Sequence, residues 1–130
     1  MTGISLPTLG GIAGLVPVVG TASHANVGAG FTSDDYTVPV DVIAWVTAWA
    51  VAWVGGTTPT ELLAKVRTAA GADVGTFLHR ATLVVLDDEH AAVPMMLLPG
   101  FKLRIETVGG DDTTDLEHSW AVVEFAYDEA

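Results

Sequence analysis

No cysteine occurs among the 130 residues of the chain, and basic residues are few. Because cysteine is absent, disulfide bonds, zinc–thiolate sites and cysteine nucleophiles are excluded, and stability must come from packing or from neighbouring chains. Five lysine and arginine residues stand against sixteen aspartate and glutamate residues, which gives a formal net charge of −11. Nucleic acids and anionic membranes are bound through clusters of basic residues, so neither is expected as a partner.

Charge is also missing from the start of the chain, where no Asp, Glu, Lys or Arg precedes Asp34. Mobile tails usually carry charge and few apolar residues, whereas this stretch is rich in glycine and in apolar side chains. We therefore predict that residues 1–35 form an extended, glycine-rich arm that anchors the protein on another protein surface. The apolar residues expected to make these contacts are Ile4, Leu6, Leu9, Ile12, Leu15, Val16, Val18 and Val19.

Neither a secretory signal nor a membrane-spanning segment is expected. The amino-terminal stretch lacks the basic residues that open a signal peptide, and glycine and proline interrupt its apolar residues. The most apolar segment, residues 42–54, falls well short of the ~20 residues that a spanning helix needs. The sequence therefore predicts a soluble protein without a targeting segment.

Residues 36–130 are predicted to form one all-β domain. Half of the residues are hydrophobic, enough for a single core in a chain of this size. Short apolar or alternating segments, separated by turn residues at intervals of roughly 8–12 residues, are typical of an antiparallel β-sandwich or a jelly-roll-like barrel. The expected strands cover residues 36–40, 42–54, 77–86, 93–98, 101–107 and 120–127.

The segment 42–54 contains three tryptophans, Trp45, Trp49 and Trp53, which share one face if the segment is extended. Its β-branched and aromatic residues favour a strand over a helix. A strand of this length would extend about 40 Å, so a bend or a bulge is expected. We interpret the three indoles as core of the sandwich. The alternative is an exposed row of rings that binds glycans.

Residues 58–70 fit both a helix and a strand. Thr58 and Glu61 have the spacing of a capping box, and Pro59 suits the first position of a helix. In an extended segment, alternate residues from Leu62 to Val66 would instead point to one side. Because the surrounding chain is rich in strands and a turn-like segment follows, we favour the strand.

The chain offers no catalytic or metal-binding signature, so we predict no enzyme activity, catalytic residue, metal ion or cofactor. Its four histidines lack the spacing of a zinc motif. Its acidic clusters, at 34–35, 87–89 and 111–117, fall in expected turns, where aspartate is common, and they lack the spacing of a calcium loop. Calcium binding by these loops stays open as the less favoured alternative. The basic residues are expected to form exposed cross-strand pairs with Glu61, Glu106 and Glu124.

Three segments of the carboxy-terminal half carry a resemblance to a known group of proteins. These are Ala-Thr-Leu-Val-Val at 81–85, Met-Met-Leu-Leu-Pro-Gly-Phe-Lys-Leu-Arg-Ile at 95–105 and Trp-Ala-Val-Val-Glu-Phe-Ala-Tyr at 120–127. Together they resemble the small β-sandwich structural proteins of tailed bacteriophages, in which a Leu-Pro-x-Gly-x-Lys/Arg-Leu turn leads into a strand. The turn at 98–103 has one residue fewer between its proline and its glycine.

The resemblance covers residues of about 36–127 and implies a component of the virion. The implied roles are a capsid decoration (cement) protein or an accessory protein of the head or tail. Such proteins commonly form homo-oligomers, often trimers, whose arms hold neighbouring subunits. Expected partners are therefore copies of the chain itself and a capsid or other virion protein. The expected location is the virion, with the host cytoplasm during assembly.

Overall fold

The computed structural model of the chain describes residues 14–126, and these residues form strands and loops without a helix. Nine strands follow one another along the chain. Their bounds are β1 Leu15–His24, β2 Thr32–Thr37, β3 Val42–Gly55, β4 Glu61–Arg67, β5 Asp73–Arg80, β6 Asp88–His90, β7 Met95–Leu97, β8 Lys102–Val108 and β9 Asp115–Ala126.

The strands form two antiparallel sheets that pack face to face. The first, sheet I, has the order β1-β9-β3-β6, with the short β7 pairing with β3 beside β6. The second, sheet II, has the order β2-β8-β4-β5. The predicted all-β sandwich is confirmed. The turn after β7, which contains Pro99 and Gly100, leads into strand β8, as the sequence motif at this place indicated. It also carries the chain from sheet I to sheet II.

The core lies between the sheets and is filled by alternate residues of the central strands. Leu103 and Ile105 of β8 and Leu62 of β4 are fully buried and face Val46 and Trp49 of β3. Alternation of this kind gives each central strand one buried side. The prediction of a strand for residues 58–70 is confirmed for β4, because packing against β8 outweighs the local helix signals there.

The expected irregularity of the long third strand is present. The register of β3 against β9 shifts between Val46 and Ala48, which is the signature of a β-bulge. Before the shift, Ala44 and Val46 point into the core, and after it Trp49 does. The bulge therefore exchanges the two faces of β3 halfway along its length.

Part of the predicted arm belongs to the sandwich. Leu15–His24 pairs with β9 along its whole length, and Thr32–Thr37 pairs with β8. The sandwich therefore includes residues that the sequence analysis assigned to the arm. Residues 1–13, with Ile4, Leu6, Leu9 and Ile12, lie outside the described residues, and for them the arm stays a prediction.

Three other expected boundaries differ from the structure. The strand expected at 77–86 is Asp73–Arg80, and the apolar residues 83–86 lie in a loop. The turn expected at 87–90 contains the short strand Asp88–His90, which pairs with β3. The last strand begins at Asp115, five residues earlier than expected, because its first half pairs with both β1 and β3.

Candidate functional site

A chain of hydrogen bonds connects the two sheets through the core. The indole N–H of Trp49 donates to Nε2 of His118 over 2.8 Å, and Nδ1 of His118 lies 2.7 Å from Oδ2 of Asp35. The same carboxylate oxygen lies 2.8 Å from Nε2 of His24, and the hydroxyl of Ser33 donates to Oδ1 over 2.6 Å. We call these five residues the polar network. Three of them belong to sheet I and two to sheet II, so the network bridges the layers.

Asp35 reaches the polar network because β2 contains a bulge. Asp34 pairs with Arg104 and Tyr36 pairs with Leu103, so Asp35 has no partner on β8. A bulge interrupts the alternation of a strand and redirects a side chain. As a result, Asp34 faces outward and binds Arg104, while Asp35 and Tyr36 both turn into the sandwich.

The polar network admits one arrangement of protons on His118. An indole N–H can only donate, so Nε2 of His118 is the acceptor and Nδ1 carries the proton that is donated to Asp35. In a nucleophile–histidine–aspartate triad, Nε2 is the atom that takes the proton of the nucleophile. Here that atom is occupied by Trp49, and His118 has an exposed fraction of 0%. The network ties the sheets together and presents no base to a substrate.

The charge of Asp35 is held inside the sandwich by its hydrogen bonds. Burial by itself raises the pKa of the Asp35 carboxyl, but the hydrogen bonds from His118, Ser33 and His24 together outweigh it. The net result is a pKa well below the usual range of an aspartate. Because a lowered pKa means that folding favours the ionised form, the network stabilises the fold at neutral pH.

A second polar link between the sheets joins Tyr36 and Glu124. The hydroxyl of Tyr36 in β2 donates to Oε2 of Glu124 in β9 over 2.7 Å. Burial raises the pKa of Tyr36, and the hydrogen bond to Glu124 raises it further. Glu124 was expected to pair with a basic residue on an exposed face. Its position on the inner face of β9 places it opposite the tyrosine instead.

The outer face of sheet II carries charges in pairs. Arg104 binds the carboxylate of Asp34 through two hydrogen bonds of 2.8 and 3.1 Å, and these bonds lower the pKa of Asp34. Lys65 lies 3.1 Å from Glu106 and 3.7 Å from Asp73. The side chains of Asp34, Lys65, Arg104 and Glu106 are 16–27% exposed, so these pairs are partly buried. Ion pairs at a surface contribute little to stability. They do show that this face suits contact with water.

The outer face of sheet I has a different composition. We call it the apolar face. Over most of its area it presents aliphatic, aromatic and small residues, and its acids, Asp88, Asp115 and Glu117, lie towards one end. Two of its large side chains are widely exposed, Val19 at 80% and Met96 at 52%. Its members other than these acids are Leu15, Pro17, Val19, Thr21, Ser23, Ile43, Trp45, Ala48, His90, Met96, Ser119, Ala121, Val123 and Phe125, together with the buried Ala50 and Ala52.

A shallow depression lies in the apolar face at the β3 bulge. Small residues form its floor, since Ala48 and Ala50 of β3 lie beside Ser119 and Ala121 of β9. Val19 also lines the depression, whose volume is about 230 Å³. A side chain from another protein surface fits a depression of this size, whereas the described chain itself leaves it open.

The three tryptophans are not brought together on one face. Trp49 lies in the core with an exposed fraction of 1%, and Trp53 packs against the core while its indole donates to the carbonyl of Gly55. Trp45 precedes the bulge, pairs with Met96 and Val123, and lies on the apolar face. The row predicted from the sequence is therefore divided by the bulge, and a glycan platform of three exposed rings is not present.

All three expected acidic turns have residues in strands, and Asp88 and Glu89 belong to β6. Asp34 and Asp35 belong to β2, and Asp115 and Glu117 belong to β9. In the loop before β9, Asp111 accepts hydrogen bonds from Thr113 and Thr57, and those from Thr113 contribute most to lowering its pKa. Within residues 14–126 no group of three or more His, Cys, Asp or Glu side chains is arranged to hold a metal ion. The same residues include no helix that is long and apolar enough to cross a membrane.

Sequence reasoning missed the polar network, although one of its residues left a signal. Leu116, His118, Trp120 and Val122 alternate with polar or small residues, and this alternation places His118 on an inner face. Asp35 left no such signal, because the bulge at its position is visible only in the pairing of β2 with β8.

Comparison with known proteins gives structural matches alone. No family model and no curated protein matches the chain. A chain from the Bacillus endospore appendages, described as disulfide-linked pili, matches with 11% identity and a TM-score of 0.47, over 88% of this chain and 91% of that chain. The present chain has no cysteine and cannot form such links.

Two viral chains also match the fold. A chain of infectious bursal disease virus, Gt strain, is 12% identical with a TM-score of 0.42, over 86% of this chain. A chain of the Gx strain is 14% identical with a TM-score of 0.41, over 88% of this chain. The match covers 33% of each viral chain. Likeness at this level concerns the path of the backbone, so function must follow from the residues of this chain.

Proposed function

We propose that the protein is a non-enzymatic structural subunit of a viral particle, either a capsid decoration (cement) protein or a minor head protein of a tailed bacteriophage. In this role it stabilises the particle through contacts with its own copies and with a capsid or other virion protein. The observation that carries the proposal is the contrast between the charged outer face of sheet II and the apolar face of sheet I.

The apolar face lacks the outward polar residues that are typical of a sheet surface in contact with water. A sheet with one solvated face normally alternates apolar inward with polar outward residues. Sheet II follows this rule through Arg104 and Lys65, but β3 has no charged residue on either face. Large exposed apolar patches mark interaction sites. Burial of a large side chain such as Trp45 or Met96 contributes about 1–3 kcal/mol, which helps to offset repulsion between acidic copies.

The described part of the chain begins at the edge strand of sheet I. The carbonyl of Gly14 accepts a hydrogen bond of 3.0 Å from the N–H of Ala126, and the next pair, Leu15 with Phe125, lies on the apolar face. Residues 1–13 precede this point in the sequence. Their uncharged, apolar composition supports the proposed role of an anchor on a neighbouring subunit.

A matched pair of lysine substitutions tests the self-assembly that this function requires. Val123 lies on the apolar face, and Val108 lies at the end of β8 on the outer side of sheet II. We expect Val123→Lys to weaken self-association at least tenfold, because it buries a charge in the contact, at about 1.4 kcal/mol per factor of ten. Val108→Lys should associate as the unmodified chain does.

Sedimentation velocity over a range of protein concentrations measures both variants, and circular dichroism checks that they fold. Equal association of the two variants contradicts the assignment of the contact to sheet I. A chain that stays monomeric at every concentration contradicts the structural function itself. The proposal that the particle is viral is tested by the genes next to the one that encodes this chain. Neighbouring capsid and portal genes support the proposal, and a neighbourhood without virion genes contradicts it.

A further inference from the structure

β1 forms one edge of sheet I and has the features of an edge that is open to pairing. It is ten residues long, its register against β9 has no shift, and it contains no Asp, Glu, Lys or Arg. Natural edge strands are usually protected by short length, charge, proline, bulges or a covering segment. Of these features, the described residues show only a proline in β1, Pro17, near its start. Among the described edge strands, β2, β5 and β6 carry acids and β7 has three residues.

One hydrogen bond identifies the free backbone groups of β1. The N–H of Ala126 donates to the carbonyl of Gly14, so residue 14 forms a hydrogen-bonded pair with β9. In an antiparallel ladder such pairs alternate, so the even-numbered residues of β1 bond to β9 and the odd-numbered residues point away. Pro17, which has no N–H, is odd-numbered, as an edge proline must be. Beyond it, the N–H and C=O groups of Val19, Thr21 and Ser23 point away from β9, and no backbone hydrogen bond within residues 14–126 uses them.

A second copy of β1 fits this edge better than any other described strand. Each copy carries a net charge of −11, so a stable contact must keep acids apart. The other edges would bring Asp34, Asp73 or Asp88 towards the contact. Two β1 strands bring only uncharged residues together over 19–23, and they join the apolar faces of both copies into one surface.

We propose that two copies of the chain pair through β1, antiparallel about a two-fold axis at Thr21, so that sheet I continues from one copy into the other. Thr21 then lies opposite Thr21 of the partner subunit, and Val19 lies opposite Ser23 of the partner subunit. Both pairs use the free backbone groups of β1, and neither disturbs the ladder with β9. This inference rests on the proposed structural function and adds the edge of β1 to the apolar face as a second surface through which copies meet.

Disulfide trapping tests the pairing in the full-length chain, which has no thiol of its own. In a hydrogen-bonded antiparallel pair the Cα atoms lie about 5.5 Å apart, within reach of a disulfide. Thr21→Cys is therefore expected to cross-link into dimers at least tenfold faster than Val74→Cys. Val74 is a matched control, because it lies on β5, the edge of the other sheet, and is 51% exposed.

A second pair of variants separates the backbone edge from the apolar side chain. Val19→Pro removes a free N–H that the ladder with β9 does not use, so the chain should fold and association should fall at least tenfold. Val19→Thr keeps the N–H and should associate within about threefold of the unmodified chain. Sedimentation velocity measures association, and circular dichroism checks folding.

The outcomes separate this inference from the structural function on which it rests. Faster trapping at position 21, with association lost in Val19→Pro but kept in Val19→Thr, supports the pairing. Equal trapping at positions 21 and 74 overturns it, as does a folded Val19→Pro chain that associates normally, even though self-assembly then stands. If Val19→Pro does not fold, the ratio of the cross-linking rates of Thr21→Cys and Val74→Cys decides whether the pairing stands. A chain that never associates overturns both proposals.

Discussion

Replacement of Asp35 by alanine tests how the sandwich holds a charge in its core. The Nδ1–H of His118, which is fully buried, would lose its acceptor, at a cost of about 1–3 kcal/mol. Ser33 and His24 would also lose their hydrogen-bond partner. Because both residues are partly exposed, water can replace the carboxylate, and each loss should lower the free energy of unfolding by about 0.5–1.5 kcal/mol. We therefore expect the free energy of unfolding to fall by about 3 kcal/mol at neutral pH, with Asp35→Asn losing less because its amide oxygen can still accept from His118.

The effect of Asp35→Asn should depend on pH in a direction that the structure determines. The pKa of Asp35 is lowered in the folded state, so folding favours the carboxylate. The resulting stabilisation is complete above the pKa of an unfolded aspartate, about 3.9, and is lost as the pH falls below it towards the folded pKa. The difference between the unmodified chain and Asp35→Asn should be constant from about pH 7 to 5 and shrink below about pH 4.

Urea unfolding followed by tryptophan fluorescence measures these differences, at one low protein concentration because association also stabilises a fold. Asp34→Asn is the matched control. It alters the neighbouring carboxylate, which pairs with Arg104 on the outer face, and should cost less than about 1 kcal/mol. The reasoning is refuted if Asp35→Ala costs no more than this control, or if the Asp35→Asn difference is the same at pH 7 and pH 3.

Two further substitutions test the packing between the sheets. Trp49→Phe keeps a ring in the core but leaves Nε2 of buried His118 without a donor, so the free energy of unfolding in urea should fall by about 1–3 kcal/mol; unchanged stability contradicts the hydrogen bond. Gly20→Ala places a methyl group where the indole of Trp120 lies, so overpacking should cost about 1–3 kcal/mol and lower the melting temperature. If Gly20→Ala has the melting temperature of the unmodified chain, this packing is contradicted. Ala22→Gly, at the next inward position of β1, is the comparison variant.

The strands with clear alternation could be predicted from the sequence. β8 alternates buried Leu103 and Ile105 with Lys102, Arg104 and Glu106, and it lies within one residue of the expected bounds. The length and the tryptophans of β3 correctly indicated a strand with a bulge. In both strands the residues themselves carry the signal, because one side faces the core.

β1 gave a weaker signal because two of its inward positions, Gly20 and Ala22, are small. Gly20 lies under the indole of Trp120, so a side chain from β9 fills the space that a large residue of β1 would otherwise occupy. Without large alternating residues, the segment resembled a glycine-rich arm. Strand pairing between distant parts of the chain, and not local propensity, decides the structure here.

The bulges explain the errors in the candidate site. A shift of one residue moves every later side chain to the opposite face. This separates Trp45 from Trp49 and brings Tyr36 to the same side as Asp35. The positions of such shifts depend on partner strands, so the sequence of β2 or β3 alone cannot show them. The charged face of sheet II was more accessible to prediction, since the expected pairing of a basic residue with Glu106 is present in the Lys65–Glu106 contact. Glu61 contacts His79 instead of a lysine or arginine.

The central claim is that the apolar face becomes buried in an assembly while the outer face of sheet II stays in water. Hydroxyl-radical footprinting of the full chain at low and high concentration tests it most directly, because it reports the accessibility of individual side chains. We expect oxidation of Trp45 and Met96 to fall severalfold on assembly, while oxidation of exposed His79 on sheet II stays constant. Unchanged oxidation of Trp45 and Met96 in assembled protein, or protection of His79 instead, would contradict the account.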